Sequence, residues 1–202
     1  MPSNKDKILA AAMELFHEQG FQATGLEEIL SHCGVCKSNF YYHFKSKEEL
    51  GRQVIQQKIA LMNEQIFIPS LDNKALSPKE RISRLFRLMQ AAAEEHDCRR
   101  GCYIGNLAIE LSGRYEALRG IISDFLEEVQ QRIEACLLEG TADQDINLHG
   151  MKAQETAAAL TALLQGGMLL SKAHRSSLAL QYSGRLVDHI VGNGWEGDQH
   201  AG

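Results

Sequence analysis

The chain has 202 residues, 44% of them hydrophobic, which suits one mid-sized domain or a small domain fused to a larger one. It contains only three prolines and few β-branched runs, so we expect an all-α fold. The net charge of −5 at pH 7 excludes binding to nucleic acid through bulk positive charge.

Two short helices are predicted at the start of the chain. Apolar residues recur with helical spacing between Lys5 and Gln19, and Gly20 ends this first helix. The run Thr24-Gly25-Leu26-Glu27 indicates a capping box that begins a second helix, which ends at Gly34. A short polar helix after this glycine completes a helix-turn-helix, a motif whose second helix enters the DNA major groove.

The stretch from Gly34 to Leu50, GVCKSNFYYHFKSKEEL, predicts a DNA-contacting surface. Phe40 and Phe44 fall on one helical face and can anchor the segment to a core. The opposite face then carries a cation, a hydroxyl, an amide, two phenols and an imidazole, which are groups that bind phosphates and base edges. Lys37 to Lys47 contains three lysines and no acidic residue, although residues 1–52 have a net charge of −1. We therefore expect few phosphate contacts and a modest salt dependence.

This part of the sequence resembles the DNA-binding domain of the TetR family of bacterial transcriptional regulators. The resemblance covers about the first quarter of the chain, through ELFHEQGFQATGLEEI, then GV, then FYYHFKSKEEL. It implies a set of residues at the DNA, in which some bind phosphates and others lie near base edges. Lys37, Tyr41, Tyr42 and Lys47 take the phosphate positions, Ser38, Asn39 and His43 lie near base edges, and Thr24 belongs to the same DNA-binding set.

Two positions depart from the family's pattern. Gly25 stands where the family usually has Thr or Ser, so one hydroxyl contact to the DNA backbone is missing. Cys36 stands where a serine usually caps the recognition helix, and a thiol is a poor acceptor. We therefore expect a weakly capped recognition helix.

The rest of the chain predicts further helices. Helical period continues from Lys47 to Ile66, and residues 67–78 form a linker with two prolines. The first of the later helices is predicted to run from Pro78 to near His96, and the region 99–106 opens a short helix through Leu111. A long helix runs from Leu118 to an end at Gly140, and two more cover about 152–172 and 176–191. We expect a DNA-binding domain at 1–50 with a linking helix to about 66, a ligand-sensing and dimerisation domain at 67–192, and a flexible tail at 193–202.

The last two helices predict a dimer. The first of them is rich in alanine and contains Gly166-Gly167, which permits close approach of another helix. Two such apolar helices and their symmetry mates would form a four-helix bundle in a homodimer. The alternative is that both helices only build the core of one subunit.

Two features point to an effector. A pocket among the helices from Pro78 to about Gly140 would be lined by apolar residues that are equally suited to a core. Cys102 follows Arg99 and Arg100 at a predicted helix start, where cations and the helix dipole lower a thiol pKa, although it is also a small residue that can fill core space. The stretch GCYIGNLAIELS resembles the electrophile-responsive NemR-like branch of the family, whose reactive cysteine matches Cys102. The candidate lining residues are Phe86, Met89, Tyr103, Phe125 and Met168.

Other classes of function are weakly supported. Cys33-x-x-Cys36 has no second pair at zinc-finger spacing, and the group around His96 and Cys102 lacks a fourth ligand, so we expect no metal and no cofactor. No nucleophile elbow, phosphate-binding glycine loop or His-Glu-x-x-His motif is present, so we expect no enzyme. The alternatives are a non-specific architectural DNA-binding protein, which needs more distributed basic charge, and a helical thiol enzyme using Cys102.

The sequence therefore predicts a homodimeric repressor that binds an inverted-repeat operator in double-stranded DNA. A small molecule or a reactive electrophile would release it by favouring a conformation with mis-spaced recognition helices. Residues 1–30 lack the apolar run of a secretion signal, and no stretch approaches the roughly 20 apolar residues of a membrane helix. The five cysteines are too sparse for a disulfide scaffold, so we expect a cytoplasmic protein that makes no contact with a membrane.

Overall fold

The computed structural model describes residues 2–111 and 113–192, so the predicted tail at 193–202 lies outside the described residues. The described chain forms helices and contains no strand, which confirms the predicted all-α fold. None of these helices combines the length and the apolar character needed to cross a bilayer. In chain order they are α1 (Asn4–Gln19), α2 (Leu26–Cys33), α3 (Lys37–His43), α4 (Lys47–Met62), a π-helix (Asn63–Phe67), α5 (Pro78–Glu94), α6 (Tyr103–Leu111), α7 (Glu116–Ala142), α8 (Ala153–His174) and α9 (Leu178–Ile190).

The helices group into two compact units. The first contains residues up to Met62 together with Tyr103–Phe125, and the second contains Asn63–Cys102 together with the residues from Leu126 onward. The first unit therefore holds α1 to α4, α6 and the first part of α7. The helix-turn-helix thus shares its unit with residues 103–125, which lie within the predicted sensing domain.

Phe21 lies at the centre of the first unit. It follows Gly20 at the end of α1, and its buried ring contacts Phe16 and Tyr115 at centroid distances of 5.0 and 5.1 Å. Helix α4 approaches the same ring at Gly51, where a Cβ atom would lie 2.6 Å from Phe21 Cε2. Because only glycine permits this approach, Phe21 sets the distance between α4 and the turn that joins α1 to α2.

The helix that follows the recognition segment does not keep its α-helical period to Ile66. α4 ends at Met62, and the chain continues as the π-helix, in which Ile68 N donates to Asn63 O at 2.9 Å. The wider turn places the consecutive residues Ile66 and Phe67 both in the core. Apolar period alone does not predict the π-helix, because α-helices also bury consecutive residues, as α4 does at Val54 and Ile55.

A buried cation organises part of the second unit. Arg81 on α5 is 1% exposed, donates to Leu71 O at 3.1 Å and lies 2.6 Å from the Glu139 carboxylate on α7. Lys74 pairs with the same carboxylate at 2.5 Å. The hydrogen bonds from Lys74 and Arg81 lower the pKa of Glu139. Because a buried charge needs such partners, the contacts hold the predicted linker against α5 and α7.

Gly140 does not end α7, although the sequence predicts a helix end there. It lies inside the helix, where a Cβ atom would be 2.5 Å from Ile146 Cδ1 and 3.0 Å from Pro78 Cβ. The glycine therefore gives room to the segment that follows α7 and to the start of α5. A glycine that permits close packing and one that ends a helix look the same in sequence.

We expect Gly51→Ala to destabilise the first unit, because the new methyl group would overlap the Phe21 ring. Overpacking of a core typically lowers the free energy of unfolding by about 1–3 kcal/mol. Gly120→Ala is the matched control: Gly120 also lies in a helix of the first unit, and its Cβ position has no described neighbour within 4 Å. It should leave stability unchanged or raise it by up to about 1 kcal/mol. Urea unfolding measures both, and equal stability of the two variants would contradict the close contact at Gly51.

Candidate nucleic-acid interface

The predicted helix-turn-helix is formed by α2, a tight turn and α3. Gly34 ends α2 in the left-handed conformation, with a φ of 66°. The next residue, Val35, is buried, and its N–H donates to Leu30 O at 3.1 Å. Residues with a Cβ atom adopt the left-handed conformation at a cost. Gly34 therefore sets the direction in which α3 leaves α2.

Two phenylalanines determine which face of α3 is exposed. Phe40 in α3 and Phe44 just after it are fully buried, and their ring centroids lie 5.4 Å apart. Between them, Tyr41 is 55% exposed and Tyr42 is 83% exposed. The two phenylalanines thus anchor α3 as their spacing predicts, and the two phenols lie outside the core.

The remaining predicted contact residues of α3 are polar and accessible to different degrees. Lys37 and Ser38 are exposed, and Asn39 and His43 are partly exposed. Asn39 Oδ1 is shielded from solvent and has no hydrogen-bond partner among the described residues. The His43 ring is in edge contact with the Tyr42 ring at a centroid distance of 4.8 Å. The outer side of α3 therefore presents a cation, a hydroxyl, an amide, two phenols and an imidazole.

Lys37 has an acidic partner in the same motif. Its ammonium lies 2.6 Å from a carboxylate oxygen of Glu27 on α2, and this hydrogen bond raises the pKa of Lys37. Both side chains are more than half exposed. Exposed pairs of this kind contribute little to stability. A phosphate can therefore replace Glu27 at low cost, and Lys37 would still carry its charge.

Lys47 begins α4 and lies against the central ring of the first unit. Its ammonium is 4.5 Å from the centroid of the Phe21 ring. Partial burial lowers the pKa of Lys47, and the Glu110 carboxylate opposes that shift. Ser46 Oγ accepts from Glu49 N at 3.1 Å and so caps the helix. A cation in the first turn opposes the helix dipole, so an anion close to this ammonium would stabilise it.

Thr24 corrects the predicted contact set, because its side chain does not lie at the surface. It is 0% exposed, and its hydroxyl donates to Gly20 O at 2.6 Å. The capping interaction of α2 starts one residue later than predicted, with Gly25 N donating to Glu28 Oε2 at 3.3 Å. The Thr24 hydroxyl closes the turn between α1 and α2. It is therefore removed from the side chains expected to contact DNA.

The residues predicted to line an effector pocket are all buried. Phe86, Met89 and Met168 lie in the second unit. Tyr103 and Phe125 lie in the first unit, and the Tyr103 hydroxyl has no hydrogen-bond partner among the described residues. Burial raises the pKa of Tyr103, and the Glu110 carboxylate adds to that shift. The set is thus divided between the two units, and burial suits a core role for each member.

An apolar groove lies on the surface of α8 and α9. Its volume is about 540 Å³, and half-exposed Leu170, Tyr182 and Leu186 line it. Two neighbouring glycines of α8 have different surroundings. A Cβ atom on Gly167 would lie 3.0 Å from Leu180 on α9, whereas a Cβ atom on Gly166 would have no described neighbour within 4 Å. Gly167 thus permits α9 to approach α8, and Gly166 opens onto the groove.

The five thiols differ in exposure. Cys102, the predicted reactive thiol, is 6% exposed just before α6. Burial raises the pKa of Cys98 and of Cys136. Cys36 is exposed, and the Ser38 hydroxyl, 3.2 Å from its sulfur, lowers its pKa. Because reactivity needs access as well as a thiolate, the structure favours Cys36 over Cys102 as the first thiol to react.

The described residues contain no group of three or more His, Cys, Asp or Glu side chains placed to hold a metal ion. This applies to the pair Cys33 and Cys36 and to the residues around Cys102. The chemistry that the described site offers is therefore hydrogen bonding and charge at the outer side of α3.

Two family models match the sequence. The one described as "Bacterial regulatory proteins, tetR family" matches residues 8–54, which include α2, α3 and the start of α4. The one described as "Transcriptional regulator LmrA/YxaF-like, C-terminal domain" matches residues 78–185, which is more than half of the chain. The two matches together cover both the candidate interface and the helices that follow the linker.

Individual relatives are similar over most of the chain. The HTH-type transcriptional regulator LmrA of Bacillus subtilis is 27% identical over 189 residues, or 93% of this chain and 96% of LmrA. The HTH-type transcriptional repressor DhaR of Mycobacterium sp. strain GP1 is 27% identical over 172 residues, or 85% of this chain and 84% of DhaR. The crystal structure of reduced Escherichia coli NemR has a TM-score of 0.82 at 24% identity, covering 94% of this chain and 97% of NemR. That last likeness shows a shared fold.

We expect Cys36 to be alkylated by iodoacetamide about tenfold or more faster than Cys102 at neutral pH, because Cys36 is accessible and its pKa is lowered. Brief labelling followed by peptide mass spectrometry measures the order of reaction. Protein unfolded in guanidinium is the control, in which the five thiols should label at similar rates. Faster labelling of Cys102 in the folded protein would restore Cys102 as the candidate sensor.

Proposed function

The chain belongs to the TetR family of bacterial transcriptional regulators, and we propose that it is a dimeric repressor released from its operator by a small-molecule effector. Membership makes it a helix-turn-helix regulator and not an enzyme, which removes the thiol-enzyme alternative. The observation that carries the proposal is the outer side of α3, because Phe40 and Phe44 fix the helix in the core while Tyr41 and Tyr42 remain exposed.

The proposed DNA contacts are of two kinds, those to phosphates and those to base edges. Ammonium groups and phenols donate to phosphate oxygens, which positions the protein without reading sequence. An amide can donate to and accept from one adenine, so the Asn39 side chain suits a base edge once it turns outward from its present position, in which Oδ1 is shielded from solvent. Phosphate contacts are proposed for Lys37, Tyr41, Tyr42 and Lys47, and base contacts for Ser38, Asn39 and His43.

The charge distribution supports a specific interface over an architectural one. Residues 1–52 have a net charge of −1, so only the lysines between Lys37 and Lys47 provide local positive charge. Architectural proteins bind through many distributed phosphate contacts. A small patch with few phosphate contacts instead needs base contacts to reach useful affinity, which favours recognition of a defined operator.

The groove on α8 and α9 is proposed to bind a second copy of this chain. It is apolar, and the half-exposed Leu170, Tyr182 and Leu186 would be buried by another helix pair. Gly166, whose Cβ position opens onto the groove, would allow the partner's backbone to come close. Two copies related by a two-fold axis would present two α3 helices to an inverted repeat.

Release from DNA is proposed to follow from a shift between two conformations. An effector that binds the non-binding conformation more tightly moves the population off the operator, by no more than that difference in affinity. A reversible small molecule is the first candidate, because Cys102 is buried. An electrophile or oxidant acting at Cys102 is the second, and the resemblance of GCYIGNLAIELS to the NemR-like branch supports it. The cytoplasm, where the chromosome lies, is the proposed location.

We expect Lys47→Ala to weaken binding to all duplexes about equally and to reduce the salt slope by about one, because one phosphate contact is lost. Asn39→Ala should instead reduce the preference for the operator over other duplexes. Lys152→Ala is the control, since it removes the same charge from an exposed position in the second unit. Fluorescence anisotropy at several salt concentrations measures both effects. Wild-type affinity in both Lys47→Ala and Tyr42→Phe would remove these side chains from the interface.

We expect Gly166→Leu to shift the protein from dimer to monomer, because the new side chain would fill the groove without touching the core of its own subunit. Leu186→Asp should have the same effect, since an unpaired charge would have to be buried in the interface. Glu127→Leu is the control, because it adds an exposed leucine on α7. Sedimentation velocity at micromolar concentration measures the oligomeric state. A monomeric wild type, or a dimeric Gly166→Leu variant, would contradict this interface.

A further inference from the structure

Three hydrogen bonds join α6 to the turn between α1 and α2. The Glu110 carboxylate accepts from Phe21 N at 2.9 Å and from Gln22 N at 2.5 Å, while Gln22 Nε2 donates to Glu110 O at 2.9 Å. Gly20 makes room for this carboxylate, because a Cβ atom there would lie 2.9 Å from Glu110 Oε2. Its φ of 92° also favours glycine. The turn is therefore shaped around a carboxylate that comes from a distant part of the chain.

Glu110 is unfavourably placed for the stability of its own helix. It is the penultimate residue of α6, where the negative end of the helix dipole disfavours an acidic side chain. The N–H groups of Phe21 and Gln22 compensate this charge. A residue that opposes its local helix and accepts hydrogen bonds from a distant turn indicates a role beyond the helix.

The Glu110 carboxylate influences Lys47, the proposed phosphate contact, both through Phe21 and through its own charge. The carboxylate accepts a hydrogen bond from the backbone N–H of Phe21, and the Lys47 ammonium lies 4.5 Å from the centroid of the Phe21 ring. The same ring fixes the position of α4 through the close approach at Gly51. The negative charge of Glu110 also favours the charged form of Lys47, against the effect of partial burial.

We propose that Glu110 is a positioning residue for DNA binding: it fixes the turn between α1 and α2 and, through Phe21, holds the Lys47 ammonium where a phosphate can reach it. This inference rests on the proposed DNA-binding function. It predicts an effect opposite in sign to simple electrostatics. Removal of a negative charge from the DNA-binding unit would by itself strengthen binding to DNA, whereas loss of the positioning contact weakens it.

The test compares Glu110→Gln with Glu116→Gln. Glutamine keeps the shape of Glu110, but it removes the charge and turns an amide N–H group toward one of the two backbone donors. Glu116 is an exposed acidic residue of the same unit that pairs with Arg119, so its change removes the same charge. The probe is the duplex that the wild-type dimer selects from random sequences. Glu110→Gln should weaken binding to this duplex roughly five- to tenfold, and Glu116→Gln should bind as tightly as the wild type or more tightly.

A double-mutant cycle separates positioning from a general loss of stability. In the Lys47→Ala background, Glu110→Gln should weaken binding by less than about twofold, because the contact through which it acts is already absent. An equal loss in both backgrounds, or no loss relative to Glu116→Gln, overturns the proposal. Failure of the proposed function is observed separately, as a wild-type protein that selects no duplex, and it overturns both.

Hydrogen exchange in the wild-type protein decides the question if Glu110→Gln does not fold. If the protein binds DNA only while the Glu110 contact with the turn is formed, bound DNA must suppress opening of the turn. Because the linkage is reciprocal, DNA suppresses opening by the same factor by which opening weakens DNA binding. The amides of Phe21 and Gln22 should then exchange roughly fivefold or more slowly in the complex than in the free protein. Unchanged exchange of these two amides in the complex overturns the proposal.

Discussion

The burial of Phe40 and Phe44 is the constraint on which the proposed DNA-binding surface depends. α3 has seven residues, and Cys36 at its start provides no side-chain cap, so the helix has little stability of its own. Burial of each ring contributes about 1.5–3 kcal/mol, which is enough to hold a short helix against its neighbours. This anchoring also fixes the rotation of α3, so Tyr41 and Tyr42 remain exposed.

Phe21 provides a second buried anchor in the first unit. Its ring lies between Phe16 and Tyr115, and it sets both the approach of α4 at Gly51 and the position of Lys47. Its backbone N–H donates a hydrogen bond to the Glu110 carboxylate on α6. The presence of residues 103–125 in the first unit follows from these contacts, because α6 and the start of α7 complete the surroundings of Phe21. Residues distant in sequence thus determine how the DNA-binding surface is held.

The sequence predicts those structural features that depend on apolar periodicity and on short local motifs. The all-α fold, the helix start at Pro78, and the anchoring pair Phe40 and Phe44 can be predicted because each depends on residues close together in the sequence. Long-range contacts are different. The burial of Thr24 depends on a hydrogen bond to Gly20 O, and the low exposure of Cys102 depends on packing that its neighbours Arg99 and Arg100 do not reveal. The role of Glu110 gives no local signal beyond an acid near a helix end, because its partners lie 88 and 89 residues away.

We propose that two copies of α3 together recognise one defined DNA sequence. Selection of binding sites by the purified wild-type protein from a pool of random duplexes, followed by sequencing, tests it most directly. We expect enrichment of an inverted repeat whose half-site centres lie one helical turn, about 34–36 Å, or a multiple of it, apart. Recovery of no common sequence, or of a single motif without its inverted copy, would contradict recognition by two copies of α3.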